Sequence, residues 1–517
     1  MKKFNTTGVC VPEEDYMVDL GGKLEQIKGL VANRSYFSIN RGRQYGKTTV
    51  LTCLEKELAK DYTVAFISFE GVGDQGFSSE GAFCQMFLGL VAWALQFSKE
   101  PIEYIQAWEN FQVDDFGKLK AHLTKMCRGK KVILMIDEVD KISNSRIFLH
   151  FLGILRDKFL LRKVNKDFTF HSVILSGVYD IRNIKLKLVN EGMHPLADKL
   201  QNSPWNIAVN FNVAMWFSSE EIVTMLREYE ADHRLGILLK PVADLLFEYT
   251  GGYPFLVSRV CQCVDDELGK EWSLEGIHLA VKRVLQETNT LFDDIYKNLE
   301  ASTSLYQLVY GMLMDGKSFT FNEGVPEIAL GVRYGFLKAE GGQVAVANRM
   351  FETLMTNYFI SKNEVGNIVP KLQGMRSEII PNGRFKMKEC LEQFSEKYAE
   401  LYKSRNTRFL EEHGKMLFLM YLMPLINGVG RYYIEPETLS QERMDVVVNY
   451  AGEELIIELK IWKGKVAHEA AYRQLKGYLD ARKESSGYLL TFDFRECKEP
   501  QSGWVEFDGK KIFDCRI

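Results

Sequence analysis

The chain has 517 residues, 46% of them hydrophobic and 26% charged, with a formal net charge of −4. Such a composition excludes a disordered or fibrous chain, and the length exceeds what one hydrophobic core serves, pointing to about three or four domains. The mildly acidic balance also excludes a protein that coats nucleic acid through bulk charge, so any such contact must come from a local patch.

The opening Met1-Lys2-Lys3-Phe4 carries two lysines with no apolar run behind them, which does not read as a secretory signal and predicts a cytoplasmic protein. The longest apolar run, Met86 to Leu95, falls short of the ~20 residues that span a bilayer; it predicts a buried core helix and no membrane partner. The nine cysteines include no Cys-x-x-Cys pair, and Cys261 and Cys263 lack the partners of a zinc site, so all are expected to be reduced core thiols.

From Tyr36 the chain alternates β-rich runs (Tyr36 to Ile39, Thr63 to Ser68, Lys131 to Ile136, Ser172 to Ser176) with helical stretches, the pattern of a parallel sheet wrapped by helices. Between the first strand and the next helix lie Arg41, Gly42, Arg43, Gln44, Tyr45, Gly46, Lys47, Thr48 and Thr49. At a helix N-terminus, backbone N–H groups cradle phosphates; Lys47 would reach the β and γ groups of ATP, Thr48 would hold Mg, and Gly46 lets the backbone approach closely. The spacing is unusual, because Gly42 to Gly46 leaves three residues where four are usual and Arg41 stands in the first glycine slot. The partner motif is the apolar run Val132 to Ile136 ending in Asp137 and Glu138: Asp137 suits the water shell of Mg, and Glu138 is placed to polarise an attacking water. Ser176, at the tip of the next strand, would sense the γ-phosphate and Arg182 report nucleotide state, or the two are a strand end and a solvated arginine.

Phe217-Ser218-Ser219-Glu220-Glu221 reads as a helix start, and the pattern is then mainly helical to about residue 298, predicting a lid. Within it, Thr250-Gly251-Gly252-Tyr253-Pro254 sets Pro254 against the adenine ring or is a turn between helices. Residues 300–360 give short helices, a Gly341-Gly342 turn and the alternating run Gln343 to Ala347, the outline of a winged helix for DNA or a partner; with no basic recognition helix it reads equally as a packing module. The stretch from about Phe4 to Phe359 resembles the AAA-like ATPases found fused to C-terminal nucleases in bacteria. In that family an Arg-Pro-Arg-Arg-Phe-Gly-Lys-Ser/Thr type loop is common, so the missing first glycine is familiar, and Gly42 stands where proline is frequent. The resemblance implies that Gly251 to Pro254 lies near the base and that residues 300–360 are a winged helix; no arginine finger can be assigned.

Pro370, Gly374, Pro381 and Gly383 mark a hinge, followed by a charged amphipathic helix from Phe385 to about Lys403. Lys403, Arg405 and Arg408 offer a basic approach for phosphates or a solvated helix face. Arg443-Met444-Asp445-Val446-Val447-Val448, a turn at Ala451-Gly452-Glu453, and Leu455-Ile456-Ile457-Glu458-Leu459-Lys460 read as a hairpin, with Glu458 and Lys460 on one face and Asp445 able to meet them. Two carboxylates bind Mg through oxygen, and the lysine positions water for phosphodiester hydrolysis. Glu412 is a further candidate metal carboxylate; His413 beside it reads as an ordinary helix histidine. The spacing resembles the PD-(D/E)XK nucleases, with Met444 in place of the usual proline. Gln474 and Tyr478, four apart on a helix, resemble the Gln-x-x-x-Tyr motif of exonuclease-like members, in which the glutamine lies by the active site and DNA; otherwise they are a polar helix face. The strand Gly487 to Phe494 is expected to complete a small mixed sheet as core.

The expected fold is therefore α/β: a P-loop AAA-like core over residues 1–215, a helical lid over 216–298, a winged-helix-like part over 299–364, a linker over 365–384, and a restriction-endonuclease-like domain over 385–517. The expected function is ATP binding, with hydrolysis, regulating a Mg-dependent nuclease that acts on DNA or another nucleic acid, with a second copy of the chain in a homo-oligomer as a further candidate partner. The alternative is a nucleotide-dependent scaffold or signalling switch whose nuclease-like domain binds without cutting.

Overall fold

The computed structural model describes residues 2–109, 112–139, 145–178, 205–314, 317–366, 379–402, 418–419, 421–423, 425–426, 430–434, 446–462, 464–493 and 501–517. The chain divides into two compact units, Met1–Ser273 with Gly331–Gly335, and Leu274–Leu330 with Phe336–Ile517. The division after Ser273 falls inside the stretch 216–298.

The first unit is built on β1 (Tyr36–Asn40), β2 (Thr63–Ser68), β3 (Val132–Asp137) and β4 (Ser172–Gly177), ordered β1-β4-β3-β2 and parallel throughout. Every residue of β3 and β4 is buried, as central strands covered on both faces require. Ahead of β1 runs α1 (Gly21–Ala32), and between the strands run α2 (Lys47–Leu58), α3 (Glu80–Leu95), α4 (Ile102–Trp108), α5 (Phe116–Cys127) and α6 (Arg146–Lys163). The apolar run Met86 to Leu95 lies in α3, whose first turn is capped by Ser79; Phe87, Leu88, Val91 and Leu95 face the core while Trp93 is exposed. Val209 adds an isolated parallel bridge to Phe37 on the outer edge of β1, its N–H donating to the Tyr36 carbonyl at 2.8 Å.

Helices α7 (Ser219–His233), α8 (Leu239–Thr250) and α9 (Pro254–Asp266) complete this unit, and Ser218 and Glu221 form a reciprocal cap at the start of α7. Residues before α1 are fastened to α7 by the rings of Phe4 and Tyr16 against Tyr229, by Tyr16 donating to Asp232 at 2.9 Å, and by the Lys2–Glu228 ion pair at 2.5 Å.

In the second unit, α10 (Leu274–Val284), α11 (Thr290–Ala301), α12 (Thr303–Leu313) and α13 (Pro326–Tyr334) precede the hairpin β5 (Leu337–Glu340) and β6 (Gln343–Val346), then α14 (Arg349–Gly366). Gly341 and Gly342 turn the hairpin at φ of 55° and 80°, values that a side chain would resist. The last four residues of α13 and Gly335 cluster with the first unit rather than with this one.

A six-stranded sheet follows, ordered β11-β12-β10-β9-β8-β7, from β7 (Arg431–Ile434), β8 (Val446–Tyr450), β9 (Glu453–Ile461), β10 (Ser486–Phe492), β11 (Gln501–Phe507) and β12 (Lys510–Arg516). The β7-β8-β9 meander is antiparallel, whereas β10 runs parallel to both β9 and β12. The crossover from β9 to parallel β10 is made by α16 (Lys465–Arg482), whose Ala471, Leu475, Tyr478 and Leu479 pack on Val447, Ile456, Leu489 and Ile512. α15 (Met387–Tyr402) lies on the opposite face, with Phe394 edge-on to Phe492 and the Cys515 thiol 3.7 Å from the Leu391 carbonyl. The strand expected from Gly487 to Phe494 is therefore not the last: β11 and β12 extend the sheet beyond it. Their sequence signal is Asp508-Gly509 between alternating runs, with both turn residues at positive φ. Of the expected hinge, residues 367–378 lie outside the described residues.

Candidate functional site

The loop from Arg41 to Gly46 leaves β1 and delivers the chain into α2. It turns on two left-handed residues, Gln44 at φ 57° and Gly46 at φ 70°, and Gly46 caps α2 with no side-chain bond, leaving the first-turn N–H groups of Lys47, Thr48 and Thr49 directed out of the helix end. Lys47 is buried, its ammonium donating to the carbonyls of Arg41 at 3.0 Å and Gly42 at 2.9 Å, which holds the charge inside the concavity of the loop. Thr48 donates its hydroxyl to Asp137 at 2.8 Å across the sheet, joining the helix start to the tip of β3. The other Asp137 oxygen accepts the Glu138 N–H at 3.0 Å. Glu138 itself sits at φ 55°, a backbone region that costs a non-glycine residue ~1–2 kcal/mol.

Ser176 lies at the tip of β4, in register with Ile39 of β1, and so between the loop and Asp137. It is fully buried, and its hydroxyl has no hydrogen-bond partner among the described residues. Arg182 and Tyr179 lie outside the described residues.

Arg41, in the first glycine slot, turns its guanidinium to the Asn40 carbonyl at 2.8 Å and the Val213 carbonyl at 3.4 Å, bracing the loop against the segment beside β1. The Arg43 carbonyl accepts a hydrogen bond from the Tyr253 hydroxyl, and the Tyr253 ring packs on Tyr45 with centroids 4.3 Å apart. Burial pushes the Tyr45 phenol up to about 12, against the opposing pull of Arg41, so it stays neutral. Pro254 opens α9, and a Cβ added at Gly46 would lie 4.0 Å from its own Cβ. Thr49 accepts the Cys10 N–H at 3.2 Å. A Cβ at Gly42 would stand 2.7 Å from the Tyr334 carbonyl oxygen, and one at Gly335 2.8 Å from the Tyr45 ring. Cys10, Tyr334 and Gly335 carry no local motif and Tyr253 is the variable residue of Gly251 to Pro254, so only their packing discloses their contacts with the loop.

In the second unit, β9 places Glu458 fully buried, with the Lys460 ammonium 2.6 Å from its carboxylate. The register pairs Val446 with Ile457, but Asp445, just ahead of β8, lies outside the described residues, as do Glu412, Glu411, His413, Lys403, Arg405 and Arg408. Gln474 is exposed on α16 and donates to the Tyr478 hydroxyl at 2.5 Å, the bond its four-residue spacing permits. Among the described residues no three acidic, histidine or cysteine side chains gather as a metal cluster. Asp514, which no local motif marks, has its Oδ2 2.8 Å from His468 Nε2 and accepts the Tyr472 hydroxyl at 2.7 Å.

A parallel sheet, a phosphate-type loop at a helix N-terminus and an acid at the tip of β3, one strand removed from β1, define a P-loop domain. Residues 25–351 match the AAA-like domain family, and the chain belongs to it. Among solved structures it is similar to a Walker-type ATPase of Pyrococcus abyssi (10% identity, TM-score 0.48, covering 68% of this chain and 99% of that one). It is also similar to the Aeropyrum pernix ORC2 protein in its ADPNP-ADP complexes (11%, 0.38, 70% and 98%) and to Cdc6p of Pyrobaculum aerophilum (14%, 0.31, 70% and 97%). No curated protein matches the chain. Among the described residues no helix is long and apolar enough to cross a membrane.

Proposed function

We propose that the AAA-like part binds and hydrolyses ATP with Mg, and that the C-terminal sheet hydrolyses phosphodiesters under its control. The observation that carries the first half is the 2.8 Å bond between Thr48 and Asp137, which unites two oxygen donors from separate motifs beside the helix N-terminus. Hard oxygen donors of this kind fit Mg, and the buried hydroxyl of Ser176, without a partner among the described residues, fits an acceptor such as a γ-phosphate. Bound Mg would neutralise phosphate charge. Lys47 and the first-turn N–H groups of α2 hold the phosphates, Glu138 takes the proton of the attacking water, and Pro254 with the loop glycines borders the base. Phosphate release from ATP by the full chain, compared with Lys47→Ala and Glu138→Gln, tests this. Wild-type turnover in either variant would sink it.

The second half rests on Glu458: a fully buried carboxylate is costly to keep without a cation, and Lys460 supplies one at 2.6 Å on the same face. In this reading Glu458, with Asp445 and Glu412, holds Mg, Lys460 orients water, and Gln474 borders the nucleic acid. The assay is cleavage of labelled single- and double-stranded DNA and RNA with Mg or Mn, with and without ATP. Cleavage lost in Glu458→Ala supports the nuclease, and an ATP effect supports the control. The engagement of Gln474 by Tyr478 favours the second reading, a nucleotide-dependent module that binds without cutting. Absence of cleavage with ATP binding intact would select it.

A further inference from the structure

The face of the six-stranded sheet that carries Glu458 continues two strands further. Thr491 on β10 is in register with Lys460 on β9 and with Arg516 on β12, while Leu489 is in register with Glu458 and Asp514. Residues in register share a face, and strands lie ~4.8 Å apart, so Lys460, Thr491 and Arg516 form a row about 10 Å long beside Glu458.

The Arg516 guanidinium stacks 3.8 Å from the centroid of Trp462, which holds it flat. Among the described residues the carboxylate oxygen that approaches it is Asp514 Oδ2 at 3.9 Å, beyond hydrogen-bonding reach and already shared by His468 and Tyr472. Among the described residues the Arg516 Nε is buried without a hydrogen-bond partner, and so is the hydroxyl of Thr491, whose side chain is fully buried in the middle of the row. An ion cluster built only to pin α16 to the sheet would pair these donors, since each one left bare costs about 1–3 kcal/mol. The Arg516 Nε and the Thr491 hydroxyl, donors left unspent among the described residues, with the charge of Lys460 beside them on a rigid sheet, match the oxygens of a phosphodiester.

We propose that Arg516, held by Trp462 and flanked by Thr491 and Lys460, binds a backbone phosphate of the nucleic acid strand and positions it next to Glu458. This inference rests on the phosphodiesterase reading of Glu458. Arg516 is a positioning residue here, and neither a base edge nor a sequence is read.

The test is binding of fluorescently labelled single-stranded DNA to the full chain in EDTA, across a salt series, with cleavage in Mg measured in parallel. Each phosphate contact contributes about 0.7 to the slope of log affinity against log salt for a single strand. Arg516→Gln should weaken binding and lower that slope by about 0.7, and Arg516→Lys should restore the slope. A merely structural arginine would alter the melting temperature and leave the slope untouched. An unchanged slope in folded Arg516→Gln, or no DNA binding by the wild type, overturns the proposal. Glu458→Ala separates the two ideas: a slope that falls in Arg516→Gln while Glu458→Ala leaves cleavage unaffected keeps the phosphate row and discards the phosphodiesterase assignment.

Discussion

Gly42→Ala probes whether the loop geometry governs nucleotide affinity. The added Cβ would meet the Tyr334 carbonyl oxygen at 2.7 Å and its carbon at 3.2 Å, against 3.4–4 Å for ordinary contact. Both are backbone atoms at the end of α13, so no rotamer relieves the clash; either the loop or Gly331–Gly335 must move. Overpacking of this kind costs about 1–3 kcal/mol. If the cost falls wholly on the phosphate-cradling conformation, the Kd for ATP rises about 5- to 150-fold. Calorimetric titration with ATP and thermal melting measure the two shares. Gly89→Ala is the control: a Cβ there has nothing within 4 Å in the middle of α3, so affinity should hold and stability rise by about 0.5–1 kcal/mol. Wild-type affinity together with a wild-type melting temperature in Gly42→Ala would refute the reasoning. The same contact accounts for glycine at a position where the resembling ATPases often carry proline, whose Cβ would enter the same space.

Glu138→Gly separates strain from chemistry. Glycine occupies the left-handed region without the ~1–2 kcal/mol that Glu138 bears there, offset by the ~0.5–1 kcal/mol that glycine loses on folding, so melting should be unchanged or slightly raised while ATP hydrolysis falls about 10²- to 10⁴-fold; retained turnover would remove Glu138 from the reaction. His171 gives a pH prediction. Burial, then the charges of Arg34, Arg162 and Lys131, lower its pKa from 6.5 to about 4. Between those values the unfolded chain binds more protons than the folded one, so the contribution is complete above 6.5 and is lost as pH falls towards 4. Melting temperatures across that window should fall less steeply in His171→Gln than in the wild type, and equal slopes would reject the assignment.

Local pattern made much of the first unit legible. The strand expected from Lys131 to Ile136 is β3 displaced by one residue, and a continuous apolar run needs no partner to be recognised as a buried strand. Lys47, Thr48 and Asp137 were nameable because a helix N-terminus and a strand tip each announce themselves within a few residues. Their approach, with Thr48 2.8 Å from Asp137, depends on β4 entering between β1 and β3, a crossover that no local window contains. Arg41 was named for the nucleotide by position alone, yet its guanidinium braces the loop on Asn40 and Val213.

The second half divides in the same way. Period-two alternation put Glu458 and Lys460 on one face of β9 from sequence alone. Which strand lies beside β9 is set by the α16 crossover, and which residues of β12 face α16 is set by register, where a slip of one would turn Asp514 and Arg516 to the α15 side. The sequence by itself thus determined which residues have the chemistry and which neighbours share a strand face. Tertiary structure alone decided that Tyr334 closes on Gly42 and that Arg516 joins the row of Lys460, because long-range pairing is fixed by the packing of whole elements and leaves no local periodicity to read.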